Sequence, residues 1–97
     1  MTHQYFVYIT TNKNKTTLYV GVTNDLYTRM QQHLEQSYRG KTFAGKYQCV
    51  NLVYWERHNN INHAIEREKE IKGWRREKKE ALIATQNPDW HFLNDEL

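Results

Sequence analysis

The sequence has few of the residues that brace small proteins with covalent bonds or zinc. It contains one cysteine, Cys49, among 97 residues, so neither an internal disulfide nor a cysteine-rich zinc site can form. No stretch approaches the roughly 20 apolar residues that span a bilayer, and the opening residues, MTHQYF, lack the pattern of a signal peptide. We therefore expect a protein that is neither exported nor inserted in a membrane, and a reducing cytoplasm suits it.

Proline and glycine are also scarce, with one and four residues. No repeat, linker or low-complexity segment divides the chain. A chain of 97 residues has room for one modest core. Although only 38% of the residues are hydrophobic, three Trp, seven Tyr and three Phe supply large apolar area. The sequence therefore predicts one globular domain over residues 1–97.

Two short runs near the N-terminus predict a β-hairpin. Residues 5–10 and 17–22 are rich in β-branched and aromatic side chains, and turn-like TNKNKT separates them. We predict a register with Tyr8 directly opposite Tyr19, which places both tyrosines on one face and the aliphatic side chains on the other. Aromatic pairs of this kind are ordinary sheet stabilisers, so the pattern alone favours packing over chemistry.

A helix is predicted after the hairpin. Leu26, Met30 and Leu34 recur at helical spacing. The Thr-Asn pair before them can cap the helix, with Asp25 in its first turn. The helix leads at about residue 38 into the link SYRGKTFAGKY, whose basic and aromatic residues are typical of a substrate-facing loop.

The rest of the chain predicts a third strand and two more helices. CVNLVYWE, at residues 49–56, reads as the strand, and a helix with asparagine caps and an isoleucine stripe ends near Gly73. A last helix runs from Trp74 to about residue 85, and Pro88 stops it, leaving NPDWHFLNDEL as a docked tail. The order β-β-α-β-α-α predicts an α+β fold, a three-stranded antiparallel sheet flanked by helices.

Three polar side chains occupy places that a protein built only to fold would seldom use. Arg29 and His33 are four residues apart on one helix surface and lie about 60° and about 20° from Leu26, at the border of the apolar stripe. A snorkelling arginine and a satisfied histidine explain them without function. Glu68 falls within the next helix's apolar stripe, where either a salt bridge to an arginine or a metal ion would satisfy it.

Basic residues cluster in the last two helices. The net charge is only +3, but Lys72, Arg75, Arg76 and Lys79 form one stripe if the helices are continuous across Gly73. A solvated face and a phosphate-contacting face both fit such a run. With three residues of the link, they make up the set of nucleic-acid-binding candidates, which is Arg39, Lys41, Lys46, Lys72, Arg75, Arg76 and Lys79.

The hairpin and first helix resemble a known family. FVY and YVG, which carry Tyr8 and Tyr19, are similar to the two tyrosine motifs of the GIY-YIG nucleases, and their spacing is typical. YVGVTNDLYTRMQQH resembles the family's second strand and first helix, with Arg29 and His33 at matching positions. The resemblance implies a three-stranded antiparallel sheet and hydrolysis of DNA phosphodiester bonds.

The likeness continues over nearly the entire chain. AIEREKEIKGW resembles the segment with the family's metal-binding glutamate, which falls on Glu68, and NPDW resembles the segment with its asparagine, here Asn87. The closest form is the small stand-alone bacterial group, described as excinuclease-like. One departure concerns proton transfer, because repair-type members carry a lysine where this chain has Val22.

The resemblance implies a role for each of these side chains. Glu68 would bind one divalent ion, Mg²⁺ or Mn²⁺, and Arg29 would donate to the scissile phosphate. Tyr8 or Tyr19, with His33, would activate the attacking water. The substrate would be DNA, with branched or damaged DNA suggested by the repair-type members.

Two alternatives use the same fold without this chemistry. The domain could hold nucleic acid on its basic surface without cutting it. It could also be an interaction module paired with a protein partner that supplies DNA recognition, because the chain has no recognition helix or zinc finger. The sequence makes no prediction of oligomeric state.

Overall fold

A computed structural model describes residues 4–39 and 48–97, with side chains for 4–36 and 48–97. Within these residues the predicted element order is confirmed. The elements are strands β1 (Tyr5–Thr11), β2 (Leu18–Thr23) and β3 (Asn51–His58), helices α1 (Leu26–Arg39), α2 (Ile61–Lys72) and α3 (Arg76–Gln86), and a 3₁₀ turn (Asn94–Glu96). In this part of the chain, no helix combines the length and apolarity that crossing a bilayer requires.

The sheet has the order β2-β1-β3 and is antiparallel at both interfaces. The predicted pairing of Tyr8 with Tyr19 is wrong by two residues, because Tyr8 lies opposite Gly21 and Thr10 opposite Tyr19. A shift of two residues leaves every side chain on its face. Both tyrosines therefore still share one face, as predicted, with their ring centroids 6.3 Å apart.

Each face of the sheet carries its own apolar cluster. The aliphatic face packs on α2 and α3, and its buried residues are Val7, Ile9, Val20, Val53, Tyr54, Ala64, Ile71 and Ile83. The tyrosine face packs on α1 and the C-terminal tail, and its buried residues are Tyr8, Leu26, Met30, Leu52 and Leu93. The period-2 alternation along β1 produces this division, since successive side chains point to opposite faces.

Helix ends differ from the predicted ones in two places. Asp25 caps α1 rather than lying in its first turn, because its Oδ1 accepts the backbone N–H of Thr28 at 3.1 Å. This bond and the Thr28 hydroxyl lower the pKa of the Asp25 carboxyl. The last helix begins at Arg76, after the predicted Trp74, so Lys72 and Arg76 lie on separate helices.

The last residue of α3 and the C-terminal tail together cover the outer edge of β3 with amide side chains. Gln86 accepts from the N–H of Trp55 at 3.2 Å and donates to its carbonyl at 2.8 Å. Asn94 accepts from the N–H of Leu52 at 2.8 Å, and the Leu93 N–H donates to the Leu52 carbonyl at 2.7 Å. The predicted docking of the tail is thus confirmed, and it satisfies backbone groups that an edge strand otherwise leaves open.

Candidate active site

Three predicted site residues meet at the hydroxyl of Tyr8. The Tyr8 side chain is fully buried between β1 and α1. Arg29 donates from Nε to the Tyr8 hydroxyl at 3.1 Å, and Nε2 of His33 lies 2.8 Å from the same oxygen. The ring of Tyr19 packs edge-on against His33, with centroids 5.1 Å apart. The structure therefore brings Tyr8, Tyr19, Arg29 and His33 into one cluster, which we call the tyrosine cluster.

Gly21 makes room for this arrangement. It lies directly opposite Tyr8, and a Cβ added to Gly21 would be only 2.5 Å from Cζ of Tyr8. The phenol ring consequently rests against the bare backbone of β2, which lets its hydroxyl reach Arg29 and His33. Gly21 was not among the predicted site residues, because the predicted register placed it away from Tyr8.

Burial sets the protonation of the tyrosine cluster. It raises the pKa of Tyr8 to about 12, although the hydrogen bond and charge of Arg29 act in the opposite direction. Burial, followed by the charge of Arg29, lowers the pKa of His33 to about 4. At neutral pH Tyr8 is therefore a protonated phenol and His33 a neutral imidazole. Since the phenol oxygen accepts from Arg29, we assign its proton to Nε2 of His33.

The buried histidine makes stability depend on pH. In the unfolded chain its pKa is about 6.5, whereas in the folded protein it is about 4. Between these values the unfolded state binds the extra proton and the folded state does not. The contribution is therefore complete above pH 6.5 and shrinks as pH falls, by about 2 kcal/mol between pH 7 and 4.5.

Urea unfolding of the wild type and of His33→Gln at several pH values between 4.5 and 7.5 measures this contribution. Glutamine does not titrate but can still accept from Tyr8. The other titrating groups are common to both proteins, so the difference in slope isolates His33. Parallel pH profiles for the two proteins would contradict the prediction.

Glu68 lies on α2, and its side chain is 12% exposed. It forms an ion pair with Lys72, whose Nζ is 2.8 Å from Oε1. The expected salt-bridge partner was an arginine, so the partner is corrected to lysine. Lys72 also lines a groove beside β2, the β2 groove, formed by Leu18, Tyr19, Val20, Lys72 and Lys79. Lys72 therefore lies both beside the Glu68 carboxylate and in the lining of the β2 groove.

The donor set limits which metal this site could hold. No group of three or more His, Cys, Asp or Glu side chains with metal-binding geometry occurs in residues 4–36 and 48–97. Glu68 would accordingly be a single protein ligand. Mg²⁺ accepts this arrangement, because it keeps several waters and takes phosphate oxygens from a substrate. One Mg²⁺ or Mn²⁺ fits the residues present, provided that Lys72 yields its place at the carboxylate.

Asn87, the remaining catalytic candidate, is 5% exposed. Its Nδ2 donates to the carbonyls of Val53 and His91 at 3.0 and 2.8 Å. Its Oδ1 accepts the N–H of His91 at 3.0 Å. These bonds join the tail to β3 and engage the whole amide, so a contact with substrate would require some of them to break.

The basic candidates do not form one stripe, because α2 ends at Lys72 and α3 begins at Arg76. Lys72 and Lys79 nevertheless face the same β2 groove. Arg76 instead holds the loop between β1 and β2, donating to the carbonyls of Thr16 and Lys15 at 2.6 and 2.8 Å. The structure thus separates groove-lining lysines from a loop-anchoring arginine.

Four other basic candidates have different positions. Arg75 is exposed and precedes α3 as its N-cap residue. Lys41 and Lys46 lie outside the described residues, as does the side chain of Arg39, the last residue of α1.

Gln32, which we did not predict, accepts from Nη1 of Arg29 at 3.0 Å. Only its spacing of three residues from Arg29 could have suggested this contact.

Comparisons with known proteins agree with this geometry. The family model for the GIY-YIG catalytic domain matches residues 4–81. A UPF0213 protein of Natronomonas pharaonis is 33% identical over 84 residues, covering 87% of this chain and 95% of that protein. A UPF0213 protein of Staphylococcus aureus is 34% identical over 79 residues, covering 81% and 93%.

A solved structure is similar over the same extent. The solution NMR structure of a UPF0213 protein from Bacillus halodurans matches with a TM-score of 0.57 and 26% identity, covering 90% of this chain and 89% of that one. Sequence and fold thus lead to the same group of small proteins. The chain belongs to the GIY-YIG family.

Proposed function

We propose that this protein is a metal-dependent endonuclease that hydrolyses DNA phosphodiester bonds. The observation that carries the proposal is the tyrosine cluster, in which an arginine, a phenol and an imidazole converge on one buried oxygen. Holding a half-buried arginine against a phenol gains little for folding alone, because charged groups are costly to remove from water. Membership in the family of the GIY-YIG catalytic domain supports the same conclusion.

Arg29 is the residue we assign to the scissile phosphate. Tyr8 holds its Nε and Gln32 its Nη1, which fixes the plane of the guanidinium. The side chain is partly exposed, and its remaining N–H groups suit a phosphate oxygen. Burial alone would lower the pKa of Arg29, but its hydrogen bonds with Tyr8 and Tyr19 raise it. The guanidinium therefore stays charged, as stabilisation of the developing charge requires.

The two tyrosines receive different roles. Tyr8 is a phenol with a pKa of about 12, so it does not take a proton at neutral pH, and we assign it the positioning of Arg29. Tyr19 lines the β2 groove and is the tyrosine that orients the attacking water. His33 orients Tyr8, and a divalent ion at Glu68 would neutralise charge that develops on the phosphate.

Cleavage should depend strictly on a divalent ion. We expect the purified chain to nick or cut at least one of branched, nicked, single-stranded or duplex DNA in Mg²⁺ or Mn²⁺. Activity should vanish in excess EDTA and return when Mg²⁺ is added in excess, because Glu68 is a single carboxylate and the ion that it would bind supplies the charge stabilisation. Gel analysis of end-labelled substrates measures the cleavage. Intact substrates under every metal condition would overturn the proposal.

A second candidate is a module that binds nucleic acid without cutting it. The Lys72 ion pair at Glu68 and the full engagement of the Asn87 amide favour this function. Such a protein would bind DNA with an affinity that falls steeply with salt and is unchanged by EDTA. Recognition of a particular DNA would then come from a separate protein partner.

A further inference from the structure

We propose that Lys72 is a displaceable counter-ion of Glu68. It neutralises the carboxylate while no divalent cation is bound, and it moves to a backbone phosphate of DNA when a cation replaces it. The inference rests on the proposed function, since it describes the regulation of the same site. Because of this exchange, bound cation strengthens the binding of nucleic acid, and bound nucleic acid strengthens the binding of the cation.

The exposure of the two side chains differs in the direction that this exchange requires. Glu68 is 12% exposed and Lys72 is 52% exposed, with 2.8 Å between Oε1 and Nζ. The carboxylate is therefore held by its surroundings, whereas the ammonium group is on a flexible four-carbon stem at the solvent. Lys72 is also the last residue of α2, so its side chain can leave Glu68 without disturbing the helix interior.

The charges make the two partners of Glu68 compete. A mostly buried carboxylate needs a counter-charge, and within the described part of the chain Lys72 is the one ion-pair partner seen for it. An ammonium group and a divalent cation against the same carboxylate would repel each other strongly. Binding of the cation therefore displaces Lys72.

The displaced ammonium has a second destination close by. Lys72 lines the β2 groove together with Lys79, and Tyr19 lies in the same groove. A DNA strand that crosses Tyr19 would bring its phosphates within reach of both lysines, and phosphate contacts are the main source of nonspecific affinity. DNA therefore stabilises the state in which Glu68 is free, and by linkage the cation increases DNA affinity by the same factor.

Mn²⁺ titration of the full chain without DNA tests the exchange. Binding is followed by electron paramagnetic resonance of free Mn²⁺ and by broadening of amide NMR signals near Glu68. We expect Lys72→Met to bind Mn²⁺ about fivefold more tightly than the wild type, because a competing positive charge is removed. Lys79→Met is the matched control in the same groove, and its Mn²⁺ affinity should be unchanged. In EDTA both variants should bind DNA more weakly.

Three results would overturn the proposal. One is a Lys72→Met protein that binds Mn²⁺ no more tightly than the wild type. Another is an equal gain in Lys79→Met, which would show a general charge effect. The third is a gain that persists in the Glu68→Gln/Lys72→Met double variant, since the carboxylate would then not be involved. The titration needs no turnover, so a protein that never cuts DNA but shows the Lys72 effect would refute the proposed nuclease and leave the counter-ion exchange supported.

Discussion

Replacing Glu68 by glutamine should lower the rate of DNA cleavage about a thousandfold, which corresponds to about 4 kcal/mol of transition-state stabilisation. Glutamine keeps the volume of the side chain but loses the charge that a divalent ion requires. The fold should survive, because the substitution removes one ion pair with a half-exposed lysine, and such pairs contribute at most about 1 kcal/mol.

Single-turnover cleavage at fixed Mg²⁺ measures the effect, and urea unfolding confirms that the variant is folded. Glu70→Gln is the matched control. Glu70 lies two residues away on α2, is 55% exposed and pairs with Arg67 at 2.7 Å. It should cleave at the wild-type rate. A Glu68→Gln protein with wild-type activity, or an equal loss in Glu70→Gln, would refute the role of Glu68.

Gly21→Ala should destabilise the folded protein by about 3 kcal/mol and abolish cleavage, because overpacking and lost buried hydrogen bonds add. The new Cβ would lie 2.5 Å from Cζ of Tyr8, so the ring must move. A displaced ring gives up its contacts with Arg29 and His33. Even a single added methyl group should have this effect, because neither the backbone of β2 nor the buried ring of Tyr8 has room to move away from it.

Gly73→Ala provides the same chemical change at a permissive place. Its Cβ would meet its nearest neighbour, the carbonyl of Glu70, at an ordinary 3.5 Å, and its φ of −78° suits any residue. We expect a change within about 0.5 kcal/mol of the wild type. Urea unfolding compares both variants, and a Gly21→Ala protein as stable as Gly73→Ala would disprove the close approach of Tyr8.

The hairpin shows what the sequence could and could not determine. Alternation along β1 correctly assigned the two tyrosines to one face, because side-chain direction depends only on parity. The pairing was off by two residues, which parity cannot detect. The observed register is held by Asn12, whose Oδ1 accepts the N–H groups of Thr16 and Thr17. It is also held by Arg76 of α3, which donates to the carbonyl of Thr16 in the same loop. The second contact joins residues sixty positions apart, so local pattern does not contain it.

The first helix gives a similar lesson about the site. Apolar spacing selected Leu34 for the buried stripe, yet Leu34 is 43% exposed and His33 is fully buried. The helical wheel had placed His33 close to the stripe, but it could not show that the Tyr8 hydroxyl would pair with Nε2 of its imidazole. Likewise, the stripe in α2 indicated that Glu68 needs a partner, whereas only the structure identifies Lys72.

Closing β3 with amide side chains has a consequence for how the protein behaves in a crowded solution. A fourth strand would have satisfied the same backbone groups but would have presented a new edge of its own, on which another chain could add. Gln86 and Asn94 bind the backbone of β3 through their side chains and so end the hydrogen-bond ladder. Growth by edge-to-edge stacking, the route to fibrillar aggregates, is thereby blocked on this side of the sheet.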